Sequence, residues 1–166
     1  MSLEQKINNL ETDLHIMGTL VLDSLVGAVR ALEDKDTLKA SEVMDKDDEI
    51  DDAYMKIDQD WFELMATEQP VASDLRLSTS ILQASLHLER LGDLSVYLGK
   101  TTHEIHDLPI PESLHKIVVE MGDMVIDMAS SALESLKNRD AELALSTARK
   151  DELINSLYNK MLNEVP

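Results

Sequence analysis

Along this chain the apolar residues recur in alternating steps of three and four, the spacing of one buried helix face. The first run is Leu3, Ile7, Leu10, Leu14, Met17, Val21, Ser24, Ala28 and Ala31, widened by Leu20, Leu25, Val29 and Leu32. It predicts a helix from about Leu3 to Leu32. Glu33-Asp34-Lys35 is a polar break, and Asp36 has the side chain of an N-cap. A second helix is expected from there to about Ala66, with Ala40, Val43, Asp47, Ile50, Tyr54, Ile57, Trp61 and Leu64 as its seam. Pro70 suits a helix start, where its missing N–H costs nothing, and Ser73 and Asp74 follow it. The third helix is expected to reach about Glu104 with a seam of Leu77, Ile81, Ala84, Leu88, Leu91, Ser95 and Leu98. Three such helices make one antiparallel bundle.

The run His106-Asp107-Leu108-Pro109-Ile110-Pro111 is the Pro-rich interruption that marks a boundary. Beyond it the chain repeats itself. Met17-Gly18 aligns without gaps on Met121-Gly122, Asp23 on Asp127, Ala28 on Ala132, Asp36 on Asp140, Lys46-Asp47 on Lys150-Asp151, Ile50 on Ile154 and Tyr54 on Tyr158. Amphipathic helices match by chance in apolar type, not in Met-Gly, two helix-start aspartates and an Asp in a seam together. The fold class is therefore all-α, a tandem repeat of three-helix bundles, with residues 1–106 as the first and residues 111–166 as the second. The second repeat holds only two helices, ending at Val165-Pro166 where its third would begin. Either a longer chain or a partner supplies that helix, and the apolar groove left between the fourth and fifth helices predicts self-association.

Composition narrows the picture. At 166 residues with 43% hydrophobic and 3% aromatic side chains, the core is built from aliphatics and Met, as helix packing prefers. There is no Cys, which removes disulfides, zinc–thiolate sites and thiol chemistry and agrees with a reducing cytosol. No segment reads as about 18 consecutive apolar residues, and the N-terminus lacks a signal pattern. The expectation is a soluble cytoplasmic protein without membrane insertion. A net charge of −18 repels phosphate backbones and anionic lipid, so nucleic acid is excluded and cations or basic protein surfaces are the fitting partners.

Candidate chemistry begins with Asp47, a carboxylate where the period calls for an apolar residue. Such a group needs a donor, a basic side chain or a metal ion, unless the seam is misassigned. Around it Glu42, Asp45, Asp48, Glu49, Asp51 and Asp52 read as a solvated acidic face. Glu89 and Asp93 share one face of the third helix, about 5–6 Å apart at Cβ. They repel unless solvated or bridged by a cation. Glu112-x-x-His115 has the spacing of a di-iron bundle motif, but no second copy accompanies it. His103 and His106 sit at a helix end, His87 reads as a surface residue, and Glu120, Asp123 and Asp127 as a solvated face. There is no Gly-rich phosphate loop and no nucleophile–base pair. Oxygen ligands without Cys favour Mg, Mn or Fe ions, with Ca and Zn also admissible.

Gln69-Pro70-Val71-Ala72-Ser73-Asp74-Leu75-Arg76, followed by Leu88-Glu89-Arg90-Leu91-Gly92-Asp93 within a tandem helical repeat, resembles PhoU, the phosphate-transport accessory and regulatory family of bacteria. The resemblance spans essentially the whole chain. It implies two three-helix bundles side by side, with metal ions held by Glu/Asp-x-x-x-Asp motifs. Position by position it marks Glu89, Asp93, Asp47 and Asp51 as metal ligands, with Asp151 the counterpart of Asp47. Asn155 stands at the counterpart of Asp51, and the second Glu-x-x-x-Asp helix is missing. The resemblance also implies a non-enzymatic negative regulator of phosphate uptake and the phosphate-starvation response, placed between a phosphate ABC transporter and a sensor histidine kinase. Two other readings stand beside it: a carboxylate-metal oxidase or store, and a plain dimerising helical scaffold.

Overall fold

Ser2 opens the first helix with a reciprocal cap, its hydroxyl accepting from the Gln5 N–H at 3.3 Å while its own N–H donates to Gln5 Oε1 at 2.9 Å. The computed structural model of the chain describes residues 1–164; the end of the second repeat at Val165-Pro166 lies outside them. Seven helices follow one another: α1 (Leu3–Asp34), α2 (Thr37–Asp45), α3 (Asp47–Glu68), α4 (Ala72–Ile105), α5 (Glu112–Asn138), α6 (Ala141–Arg149) and α7 (Asp151–Glu164). Among the described residues there is no strand.

The α1 seam is buried as its spacing requires, from Ile7 through Ala31, with Leu3 partly exposed. Lys35 then turns left-handed at φ 55°, and Asp36 accepts from the N–H groups of Leu38 and Lys39, both at 3.0 Å. Asp36 is the expected N-cap. The helix it starts is not continuous, however. α2 stops at Asp45, Lys46 leaves the helix, and α3 starts afresh with Asp47, Asp48 and Glu49 in its first turn. Acidic groups there complement the N-terminal end of the helix dipole. The acidic run is thus partly a helix start, and a break this short leaves the three–four spacing of the seam undisturbed. The same break recurs at Lys150, between α6 and α7, and Arg139 and Asp140 repeat Lys35 and Asp36.

Pro70 is not the first helical residue. α3 ends on left-handed Gln69, Pro70 is buried, and α4 begins two residues later after an extended Val71 without a side-chain cap. The α4 seam also differs from expectation. Ile81, Leu88 and Ser95 are buried, but the remaining deeply buried positions are Ser78, Ser85, Gly92, Gly99 and Thr102, while Leu77, Ala84, Leu91 and Leu98 flank them. Small residues at steps of seven let neighbouring backbones come close, so they, rather than the larger apolar groups beside them, lie at the contact. A Cβ on Gly99 would stand 3.1 Å from the Ala40 carbonyl oxygen. The buried hydroxyls are satisfied within α4: Ser78 donates to Leu75 O, Ser85 to Leu82 O, Ser95 to Leu91 O and Thr102 to Leu98 O, at 2.8–3.1 Å.

α1 is the hub, packing on α2, α3, α4 and α5. By length and composition it is the one described helix that would cross a membrane, contrary to the expectation that no segment approaches that, but 50% of its apolar window is buried in the fold. Its contact with α5 joins the two repeats through two glycine sockets. A Cβ on Gly18 would meet both methyls of Leu133 at 2.9 Å, and one on Gly122 would meet Val29 Cγ2 at 2.8 Å. Leu133 is the repeat counterpart of Val29, and Gly122 that of Gly18. The units are therefore related by a local two-fold, pinned at its rim by Arg30 to Asp123 (2.9 Å) and Arg139 to Glu11 (3.0 Å).

Candidate functional site

The α2–α3 break sets the site. Restarting the helix at Asp47 turns that carboxylate toward α4, where Gly92 offers bare backbone: a Cβ there would lie 3.1 Å from Ile50 Cγ2, 3.2 Å from Ile50 Cδ1 and 3.6 Å from Asp47 Oδ1. Gly92 sits between Glu89 and Asp93 in sequence, so the close approach that buries Ile50 also brings Asp47 to the Glu-x-x-x-Asp turn of α4. The sequence signal for this close approach is a glycine inside a long helix between two acids.

Asp47 is half-buried, and its Oδ1 is shielded from solvent with no hydrogen-bond partner. Of the readings open for it, a protein donor on that oxygen is not what the structure contains. Burial, followed by repulsion from Asp51, Asp93 and Asp48, raises its pKa, and Lys100 works the other way. Glu89 is raised as well, by burial first and then by Asp93, Asp51 and Asp47, with Arg90 opposing. Asp47, Asp51, Glu89 and Asp93 thus form one electrostatic group across α3 and α4, in which Asp47 and Glu89 are the members made harder to ionise. Lys100, about two helical turns beyond Asp93, is the basic member that the spacing of the acids does not reveal.

The four acids do not already converge into a closed cage: among the described residues no three Asp, Glu or His side chains stand at metal-cluster spacing. Asp51 and Asp93 are exposed and Glu89 is partly so. The donor set nonetheless fits a hard cation, being all carboxylate, overcharged, and containing one shielded oxygen without a donor. Asp151 is elsewhere. It starts α7 in solvent, accepting from Asn155 Nδ2 at 3.0 Å, and among the described residues α7 packs on α5 and α6.

The remaining candidates are accounted for by ordinary contacts. Glu112 pairs with Lys116 at 2.5 Å, which lowers its pKa, while His115 Nε2 hydrogen-bonds the Glu33 carbonyl at 2.9 Å. They do not converge as a metal pair. His103 meets Ser41 at 3.0 Å, His106 contacts Asp107 at 2.9 Å, Asp123 pairs with Arg30, and Asp127 with Lys150 at 2.5 Å. Glu120 and His87 are exposed.

Residues 14–102 and 118–165 match the model of the PhoU domain family. The chain is 32% identical over 160 residues to the phosphate-specific transport system accessory protein PhoU homolog of Pseudomonas putida, covering 96% of this chain but 62% of that protein. The homolog of the same name from Clostridium acetobutylicum is 31% identical over 166 residues, 74% of its length. The crystal structure of PhoU from Pseudomonas aeruginosa superimposes with a TM-score of 0.94 at 31% identity, over 98% of this chain and 78% of that one. That of the phosphate transport system regulatory protein PhoU from Streptococcus pneumoniae gives 0.88 at 28% identity.

Proposed function

This chain belongs to the PhoU family, and we propose that it is a cytoplasmic negative regulator of phosphate uptake and of the phosphate-starvation response. In this reading it is an adaptor between a phosphate ABC transporter and a sensor histidine kinase, self-associating as a homodimer. The observation that carries the role is the likeness, over 96% of the chain, to a protein named as an accessory of phosphate-specific transport. Accessory proteins of that name are not enzymes, and no reaction is assigned to this one.

The reading includes a metal ion held by Asp47, Asp51, Glu89 and Asp93. The shielded, donor-less oxygen of Asp47 supports it, as does the mutual repulsion that raises Asp47 and Glu89. These carboxylates, from the start of α3 and the middle of α4, would hold the cation, which would supply charge neutralisation. Asp151, the repeat counterpart of Asp47, is proposed as a ligand of a separate site in the second repeat. Deletion of the gene is expected to derepress alkaline phosphatase and phosphate uptake in high phosphate. Unchanged expression and uptake would remove the regulatory role. Metal analysis of the purified protein against the double variant Glu89→Gln with Asp93→Asn tests the site, and equal metal content in the two would remove it.

A further inference from the structure

α3 and α4 each carry a second stripe of residues at three–four steps, on the side turned away from the core. On α3 it is Asp51, Met55, Asp58, Phe62 and Met65; on α4 it is Leu75, Thr79, Leu82, Leu86, Glu89 and Asp93. The buried seams, with Ile50, Ile57 and Leu64 on α3 and Ile81, Leu88 and Ser95 on α4, follow different faces. The turn at Gln69-Pro70-Val71 makes the two helices an antiparallel hairpin, and the approach of Gly92 to Asp47 and Ile50 fixes its register. In that register Phe62 and Met65 stand opposite Leu75 and Thr79, Met55 opposite Leu86, and Asp51 opposite Glu89, which feels its charge. The stripes wall one shallow groove, apolar toward the α3–α4 turn and acidic toward the α2–α3 break. Phe62, the chain's one phenylalanine, is 70% exposed and Met55 66%, while Met65, Leu82 and Leu86 are partly covered. The groove lies wholly in the first repeat, which α5 meets only through α1 among the described residues.

We infer that this groove is the docking site for a basic amphipathic helix of a partner protein, laid between the two stripes with its basic half over Glu89 and Asp93. An exposed aromatic flanked by aliphatics and adaptable methionines is the chemistry that anchors a helix in a groove. From Leu75 to Asp93 the groove is about 27 Å long, which seats about five helical turns. Charge selects the occupant and its direction. Asp51, Asp58, Glu89 and Asp93 line the groove, and none of them makes an ion pair among the described residues. Arg90 and Lys100 stand at its edge as the opposing bases. A partner's Lys and Arg would pair with those carboxylates, whereas an acidic helix would meet like charge and an uncharged one would desolvate them without donors. A net charge of −18 also draws a basic segment from a distance. The inference goes beyond the adaptor reading, since it stands on the groove alone and requires neither the phosphate role nor a metal ion.

Trp61, the chain's one tryptophan, is half-buried one residue before Phe62 and reports on the groove by its fluorescence. Two labelled synthetic helices of about 18 residues probe it. Both carry leucines at three–four steps; one has lysines and the other glutamates in its second half. Titrations are run with chelator present at about 0.15 M salt, where exposed charges are largely screened. The lysine peptide is expected to bind saturably by anisotropy and to change Trp61 emission, and the glutamate peptide to do neither. Phe62→Ser should weaken binding about tenfold with helical circular dichroism retained, and Met55→Ser repeats the test if Phe62→Ser loses helicity. Glu89→Gln with Asp93→Asn should weaken binding and flatten its salt dependence, while Tyr97→Ser, exposed on another face of α4, should leave it unchanged. Binding that neither the apolar nor the acid variants weaken is adsorption to the acidic surface at large and overturns the groove. Equal binding of the glutamate peptide overturns the basic partner, and no binding by either peptide overturns the inference outright. A Trp61 change on concentrating the chain alone assigns the groove to a second copy and overturns it as well.

Discussion

Asp47 Oδ1 lies against the bare backbone of Gly92, 3.6 Å from where a Cβ would stand, and meets no donor there. A half-buried carboxylate kept in that position works against folding unless a cation neutralises it. Asp47→Asn is therefore expected to raise the melting temperature of the chelator-treated protein at pH 7 by about 2–4 °C, for roughly 1 kcal/mol relieved. The same variant should lose the stabilisation that Mn or Mg gives the unmodified chain. Thermal melts with and without metal measure both effects, and a destabilised Asp47→Asn protein would mean that the carboxylate is supported in the fold.

The raised pKa values of Asp47 and Glu89 fix a direction for pH. An acid whose pKa is higher folded than unfolded keeps its proton longer in the fold. Its stabilising contribution is complete below the unfolded value, about 4, and is lost as pH rises through the folded one. Metal-free protein should thus show less relative gain on acidification after Asp47→Asn with Glu89→Gln than before. Urea midpoints between pH 4 and 7 for both proteins give the comparison; identical profiles would contradict it.

Gly92→Ala sets helix propensity against space. Alanine in a helix gains about 1 kcal/mol over glycine, but a methyl 3.1 Å from Ile50 Cγ2 makes that buried side chain give way in a packed core, at about 1–3 kcal/mol. The net expectation is a lower melting temperature together with weaker metal retention. Pairing it with Ile50→Val should recover part of the stability, as a double-mutant cycle would reveal.

The sockets between the repeats predict a second coupled pair. Gly18→Ala places a methyl against the terminal methyls of Leu133, so a helix gain of about 1 kcal/mol is set against the cost of moving that side chain, and Gly18→Ala with Leu133→Val should be more stable than the sum of the single changes. Additive losses would mean that the α1–α5 contact relaxes freely.

Much of this architecture is written in the residue pattern, because a three–four period survives in any helix that buries one face. The α1 seam, the Asp36 cap and the duplication are legible for that reason. Lys46 is not, since a one-residue break keeps Ala40, Val43, Ile50 and Ile57 facing the same way on either side of it. Pro70 misleads because a proline that suits a helix start also suits the buried turn before one. The α4 seam is displaced because burial there follows backbone proximity, which Ser78, Ser85, Gly92 and Gly99 permit, and side-chain hydropathy does not record it. Within the site, Asp47, Glu89 and Asp93 are visible as misplaced or paired acids. The proximity of Gly92 and Lys100 to Asp47 depends on how α3 and α4 cross, which no single helix's spacing contains.

The matching of Gly18 to Leu133 and of Val29 to Gly122 carries a history. Contacts that repeat under exchange of halves are what two identical molecules make when they pair, and here both halves are on one strand of chain. Before the halves were fused, any change at that glycine or its partner would have altered both sockets at once. Fusion separated them, and one socket now takes a valine where the other takes a leucine. The halves have since been able to diverge, one carrying Asp51 a turn beyond Asp47 and the other Asn155 a turn beyond Asp151.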